Sequence, residues 1–480
     1  MKKNRTLTRP RSRPVHPRRD GWRCHRHLYA ALAMLTVSGC ASFSADGGFD
    51  SVQQMTRDRT GQTPAYAKTV EQGEQAGARL AELLGQPLSP DSAVEIALLN
   101  NRELQASFAA LGLAEADLVS AGRLKNPSLR FGRLAGGGAT ELDRAVIFDV
   151  LGLLTMPAAS YIEQQRFEQA QMQAAFDAVG VATAARRAFF SAVAAEQLCG
   201  YHERVKEAAD ASSELARRMV QAGNFSRLEQ LREQSFQLDA SVQLARSRQQ
   251  AVAERERLVR VLGLGSGQLD FKLPERLPDL PAVAVEPQDA EQTAMEKRLD
   301  VLIAKRATES TARSLGLTRT THFINALNVG YQNQSNTGEP RRNGYEIELE
   351  LPLFDFGSAR VARAEAIYMA SVHRTAQAAV TAQSEVRESY AAYRTAYEVA
   401  RQYRDEIVPL RKQISDENML RYNAMLISVF ELLADSREQT LGVVGAVESL
   451  RDHWIAQTNL QAALVGRSPG ALSLTSPSEP

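Results

Sequence analysis

The chain has 480 residues, 44% of them hydrophobic but only 6% aromatic, and a formal net charge of +1. That near-neutral total hides an asymmetry: ten Lys or Arg and one acid, Asp20, fall in residues 1–39, and the remainder holds 47 basic and 55 acidic residues, a net of −8. A nucleic-acid partner is disfavoured, because the basic surplus is confined to that leader. The three cysteines, Cys24, Cys40 and Cys199, exclude a disulfide framework.

The first expected element is a signal peptide over residues 1–39. A basic stretch precedes the apolar run Leu28–Val37, which is ten residues long and half of what a bilayer span needs. Ser38-Gly39-Cys40 resembles a bacterial lipobox, which implies cleavage before Cys40, its acylation with groups such as palmitate, and a lipid-anchored segment over residues 40–87. Ala41 after the cysteine, where Asp is absent, favours the outer membrane by the same resemblance.

Two strand-pair-plus-long-helix units follow, over residues 88–266 and 290–466, with a Pro-rich linker over 267–289 (Pro274, Pro278, Pro281, Pro287) and a flexible tail over 467–480. The offsets between landmarks are nearly constant. Gly132 to Gly330 is 198, Ile147 to Ile347 is 200, and Gly223 to Met425 and Ser226 to Ser428 are both 202. Residues 157–265 and 358–466 are rich in strong helix formers. Each is broken once, near Ala222–Ser226 and near Tyr422–Ser428, which predicts two arms of about 45 residues apiece, each about 70 Å long.

The strands alternate. Tyr345, Ile347, Leu349 and Leu351 fall on one face and Glu346, Glu348 and Glu350 on the other. Leu327, Val329 and Tyr331 likewise oppose Asn328, Gly330 and Gln332, with a polar loop over 333–344 between the strands. The first unit repeats this more weakly: Leu129 and Phe131 oppose Arg130, and Val146, Phe148 and Val150 oppose Asp149. Alternation alone equally suits a sheet lying on a soluble core; coupled to the lipobox and the long flanking helices, it favours a membrane barrel with an apolar exterior and a polar lumen. Four strands cannot close one, so partner copies are required.

Leu351-Pro-Leu-Phe-Asp-Phe-Gly357, opening a long helix, is similar to the strand-to-helix signature of the TolC-type outer-membrane efflux proteins, in particular their lipoprotein branch. Leu88–Ala97 with Asn100, the tip Ala222–Glu229, and the helix ends Val261-Leu-Gly263 and Leu464-Val-Gly466 add to the resemblance, which spans roughly residues 85–466. It implies a mainly α fold with a small β part: a homotrimer whose twelve strands form one outer-membrane β-barrel, continued by a periplasmic α-helical barrel. The implied partners are a periplasmic adaptor (membrane fusion) protein, an inner-membrane pump of RND or ABC type, and outer-membrane lipid. The implied function is passive export of small toxic compounds, drugs or metal ions. The same fold serving type I protein secretion is an alternative, as is a lipid-anchored periplasmic coiled coil without a pore.

Relatives narrow their periplasmic entrance with an aromatic residue and acidic rings at the helix tips. By position these become Tyr422, Glu431 and Glu229 here, while Glu346, Glu348 and Glu350 would line the barrel lumen. Met425 stands where the relatives' turn has Gly, and Ile427 and Ala434 replace a basic and an acidic position, so a salt-bridged lock is not expected, and a hydrophobic or single-ring constriction is. No catalytic constellation, metal site or cofactor motif is found. His202, His322, His373 and His453 are scattered singly, and Gly263-Leu-Gly-Ser-Gly267 lacks the Lys-Ser/Thr of a phosphate loop and reads as a helix C-cap.

Overall fold

The computed structural model describes residues 42–466 apart from 325, 351 and 353. The expected signal peptide, Cys40 and the tail over 467–480 therefore lie outside the described residues, as does Leu351 of the strand-to-helix signature. Four helices come first: α1 (Phe49–Thr60), α2 (Val70–Leu84), α3 (Pro90–Asn100) and α4 (Arg102–Ala121). The hairpin β1 (Ser128–Gly136) and β2 (Ala139–Asp149) leads into α5 (Val150–Gln221) and α6 (Arg227–Leu262). After the linker come α7 (Ala290–Lys297), α8 (Leu299–Thr321), β3 (Leu327–Asn336) and β4 (Arg342–Leu349). The described residues end with α9 (Ser358–Gln402), a π-turn at Tyr403–Ile407, α10 (Val408–Asn423) and α11 (Val429–Val465).

The long arms are unequal, contrary to the expected 45 residues each. Helix α5 runs 72 residues unbroken, roughly 108 Å, while α6 has 36. An early start, at Val150 instead of Pro157, adds seven residues to α5. The carboxylate of Asp149 accepts the Gly152 N–H at 2.7 Å, capping a helix that begins directly at the end of β2. Val150 is thus helical, and Pro157, expected to open the helix, sits eight residues inside it. In the second unit β4 ends at Leu349 and the helix waits until Ser358. There Gly357 takes φ +76°, and a Cβ on it would meet the His322 carbonyl oxygen at 2.4 Å, so only glycine fits. The π-turn precedes Pro409, whose missing N–H and ring a regular helix would not accommodate.

One window of α5 is apolar enough to cross a membrane, yet 61% of it is buried within the fold. It is a core stripe. Ala174, Ala175, Ala178, Ala182, Ala185 and Ala188 line it, and their small side chains let α3, α4 and α6 approach closely. The N-terminal helices close this core with Phe49 packed edge-on to Phe108, centroids 4.9 Å apart.

Contacts between sequence-distant segments fasten the two ends of the body. The Asn100 amide donates to the carbonyls of Leu262 and Gly263, and Asn101 to that of Val261, closing the C-terminus of α6. Gly263 has φ +70°, and a Cβ there would lie 2.6 Å from the Asn100 carbonyl oxygen, so glycine is required on both counts. In the second unit fully buried Arg298 takes this place, donating to the Ala463 carbonyl and to the carboxylates of Asp300 and Glu385. The linker is strapped down by side chains: Trp454 donates to the Pro278 carbonyl, Tyr397 donates to the Pro281 carbonyl, and the Tyr393 hydroxyl accepts from the Val285 N–H.

Candidate duct: sheet faces and helix tips

The four strands form one antiparallel sheet in the order β1-β2-β3-β4, with β1 and β4 as unpaired edges within the chain. Register assigns the faces. Leu129 pairs with Val146, Val146 with Tyr331 and Tyr331 with Tyr345, while Phe148 pairs with Val329 and Val329 with Ile347. These side chains share one face, which is exposed, Tyr345 to 89% and Ile347 to 71%. On the other face lie Arg130, Asp143, Gln332, Glu346 and Glu348. Within the described strands the expected apolar and polar faces are those observed; Val150 is helical, Glu350 lies past β4 and Leu351 is outside the described residues, and one landmark changes face. Ile147 pairs with Gly330, which pairs with Glu346, so it sits on the polar face and is not the counterpart of Ile347; the position matching Ile347 is Phe148. The hairpin loop of the second unit is also shorter than expected, since β3 continues to Asn336 and β4 starts at Arg342.

The polar face carries a cross-strand network. Arg130 Nη1 reaches Glu346 at 3.4 Å across two intervening strands, over the small residues Ala145 and Gly330. Gln332 donates to Glu346 at 2.5 Å and Asn328 to Glu348 at 3.0 Å. The charge of Glu346 is thus faced by a cation, though the exposure of this pair limits it to about 0–1 kcal/mol. Glu350 lies one residue past β4, its N–H donating to the Ala326 carbonyl at 3.2 Å.

At the opposite ends of the helices, the turns after α5 and α10 are built alike. Gly223 N–H donates to the Val220 carbonyl and Asn224 N–H to Met219; Met425 N–H donates to Tyr422 and Leu426 N–H to Arg421. This is the Schellman pattern, whose pivotal residue is left-handed: Gly223 at φ +75° and Met425 at φ +59°. Met425 is 93% exposed.

Glu229 has a structural task there. Its carboxylate accepts the Ser226 N–H at 2.6 Å while Ser226 Oγ accepts the Glu229 N–H, a complete capping box on α6. At Glu431 only the Ser428 half exists, at 3.4 Å. Tyr422 is partly exposed, and neither it nor either glutamate is hydrogen-bonded or ion-paired to another of the three.

An ionic tether joins the two hairpins farther from the tips, where sequence reading placed none. Glu233 of α6, 1% exposed, accepts from Arg437 of α11 at 2.8 Å and from Ser212 of α5 at 2.7 Å, and the guanidinium stacks 4.4 Å from the Phe236 ring. Because 204 residues separate the partners, no local spacing signals the pair.

Elsewhere on α11, His453 is fully buried among Tyr393, Tyr397 and Trp454, and desolvation lowers its pKa to about 4. In the first unit burial instead raises the pKa of Asp177, against hydrogen bonds from Ser107 and Gln173. Cys199 is a half-buried free thiol whose pKa burial raises. Among the described residues no three His, Cys, Asp or Glu side chains converge as metal ligands would.

No protein-family profile matches the chain, and no curated protein sequence does either. Solved structures do. A membrane protein from Pseudomonas aeruginosa superposes with a TM-score of 0.68 at 19% identity, over 81% of this chain and 93% of that one. The CmeC outer membrane channel of Campylobacter jejuni gives 0.67 at 14% identity, over 84% and 89%. The open-state MtrE outer membrane channel of Neisseria gonorrhoeae gives 0.64 at 16%, over 81% and 89%. This is the TolC-type efflux-channel fold. Within the TolC-type fold, the sheet and the paired helix tips are the opposite ends of one elongated unit, and most of the chain takes part in the likeness.

Proposed function

We propose that the protein is the passive outer-membrane exit duct of a tripartite efflux system, lipid-anchored at Cys40 and extending into the periplasm. The observation that carries this reading is the sheet: four strands with an apolar exposed face, a polar opposite face and two unpaired edges, joined directly to a helix of roughly 108 Å. Strands of 8–11 residues suit a tilted bilayer crossing. Three copies would pair β1 of one chain with β4 of the next, closing twelve strands and leaving no edge in lipid. Glu346, Glu348 and Glu350 then face the lumen, and Tyr422, Glu229 and Glu431 surround the periplasmic mouth. That mouth docks an adaptor protein and an inner-membrane pump, which selects small toxic solutes and supplies the energy; the duct performs no chemistry.

The experiment is planar-bilayer conductance of the purified protein, with its mass measured in detergent. A trimer that conducts is expected; a monomer without conductance sinks the proposal. Leu349→Arg places a charge toward lipid at a cost of about 2–4 kcal/mol at the midplane and should block assembly, whereas Glu348→Arg, facing water, should not.

A further inference from the structure

We propose that the cleft where the sheet meets its helices seats the acyl chains carried by Cys40. This rests on the reading of Cys40 as lipidated. The chain is pinned close to that point. Both the N–H and the hydroxyl of Ser44 donate to Glu115 Oε1 at 2.6 Å, tying residue 44 to α4, and the Arg123 guanidinium stands 5.9 Å over the Phe43 ring. Three residues of chain separate Cys40 from Phe43, a reach of at most about 11 Å between Cα atoms.

Arg123 also forms part of the wall of a cleft of about 800 Å³, between the end of α4 and the junction of β2 with α5. The size lies within the roughly 300–1,000 Å³ of small-ligand sites. Leu124, Phe148 and Leu153 line the cleft and are exposed, and Met156 adds a flexible apolar side chain. Phe148 belongs at once to the cleft and to the apolar face of the sheet, so the cleft opens onto the surface that would meet hydrocarbon.

The six charged side chains lining the cleft, Asp117, Arg123, Lys125, Asp149, Glu163 and Arg166, sum to zero, and four of them form ion pairs: Lys125 with Asp149 at 2.9 Å, and Arg166 with Glu163 at 2.7 Å. A wall whose ion pairs are satisfied internally suits neutral hydrocarbon better than an anionic headgroup. The occupant with the shortest route is the lipid tethered a few residues from Phe43. Held there, it would fix the N-terminal segment against the first strand pair and continue the apolar belt across the chain's own sheet–helix junction.

The test uses the full-length protein made in cells fed a fatty acid bearing a photoreactive diazirine and an alkyne. After irradiation and purification, peptide mapping should find the modified Cys40 peptide joined to peptides from 117–127 or 148–156. Phe148→Ser with Leu153→Ser should cut the yield of those pairs at least threefold while Cys40 stays labelled. Label on Cys40 with cross-links only to other regions or to free phospholipid overturns the seat and leaves the lipidation standing. Absence of label on Cys40 overturns both. Cross-links from bulk lipid to the cleft at undiminished yield in Cys40→Ser also overturn it, because membrane lipid would then be the occupant.

Discussion

The two helical hairpins end in the same hydrogen-bonded turn, but one is built from residues that suit it and the other is not. At the first tip glycine occupies the left-handed position and a complete capping box opens the next helix. At the second, Met425 is held left-handed, a conformation costing an L side chain about 1–2 kcal/mol, and the capping interaction is half made. Both tips therefore adopt one geometry at different local stability. The first is made to hold; the second is poised to give way, with the Glu233–Arg437 tether farther along α11 restraining it.

The sharpest way to break that comparison is to cut the tether. Arg437→Ala leaves the buried Glu233 with Ser212 alone, and removing one partner of a buried pair costs about 3–5 kcal/mol, less here because the arginine is one-third exposed. Single-channel conductance should rise and protease should cut faster within residues 424–428. Unchanged conductance and cleavage would mean the hairpins are held elsewhere.

Acid should separate the two halves. His453 has a folded pKa of about 4 against about 6.5 unfolded, so the unfolded chain binds the extra proton between these values. Its stabilising effect is complete above pH 6.5 and is lost as pH falls toward 4. Asp177 behaves oppositely: its folded pKa is raised, so its cost at neutral pH is relieved when it protonates. Hydrogen exchange at pH 4.5 should therefore show α11 near residue 453 loosening before α5 near residue 177, and His453→Phe should abolish the difference. Equal loosening in the variant would remove His453 as the cause.

Smaller effects are expected from the mouth itself. Tyr422→Ala should raise conductance modestly. Glu229→Gln with Glu431→Gln should lower cation selectivity, most at low salt because screening acts over about 10 Å at 0.1 M. Gln can still make the capping box, so this change removes charge while keeping the helix start. Neutralising Glu346, Glu348 and Glu350 in parallel separates mouth from barrel; a selectivity change confined to the barrel variant would place the filter there. The smallest effect is Met425→Gly, which should relieve about 1 kcal/mol of strain and slow exchange at the second tip, with Gly223→Met doing the reverse at the first.

Local patterns made much of this legible in advance. The faces of β4 follow from strict alternation over residues 345–349, and the tip positions follow from Gly223 and from Ser226 three residues before Glu229. What escaped depends on distant partners or on an ambiguous run. Arg130 meets Glu346 only once four strands are in register, and Glu233 meets Arg437 only once two hairpins are packed. The run Val150–Met156 is apolar enough to continue a strand or to open a buried helix, and the Asp149 side chain settles it as helix. The slipped equivalence of Ile147 with Ile347 has the same origin, since a one-residue shift in a strand reverses its face.

The direct join of β2 to α5 has a mechanical consequence. With no flexible segment between them, the strand pair and the 72-residue helix behave as a single spar from the sheet to the first tip, and one degree of tilt at the sheet would displace the far end by about 2 Å. The second half is interrupted instead, between the end of β4 at Leu349 and the start of α9 at Ser358, and by the π-turn before Pro409. In the proposed duct, torque applied at the mouth should therefore be absorbed by the second half before it reaches the strands.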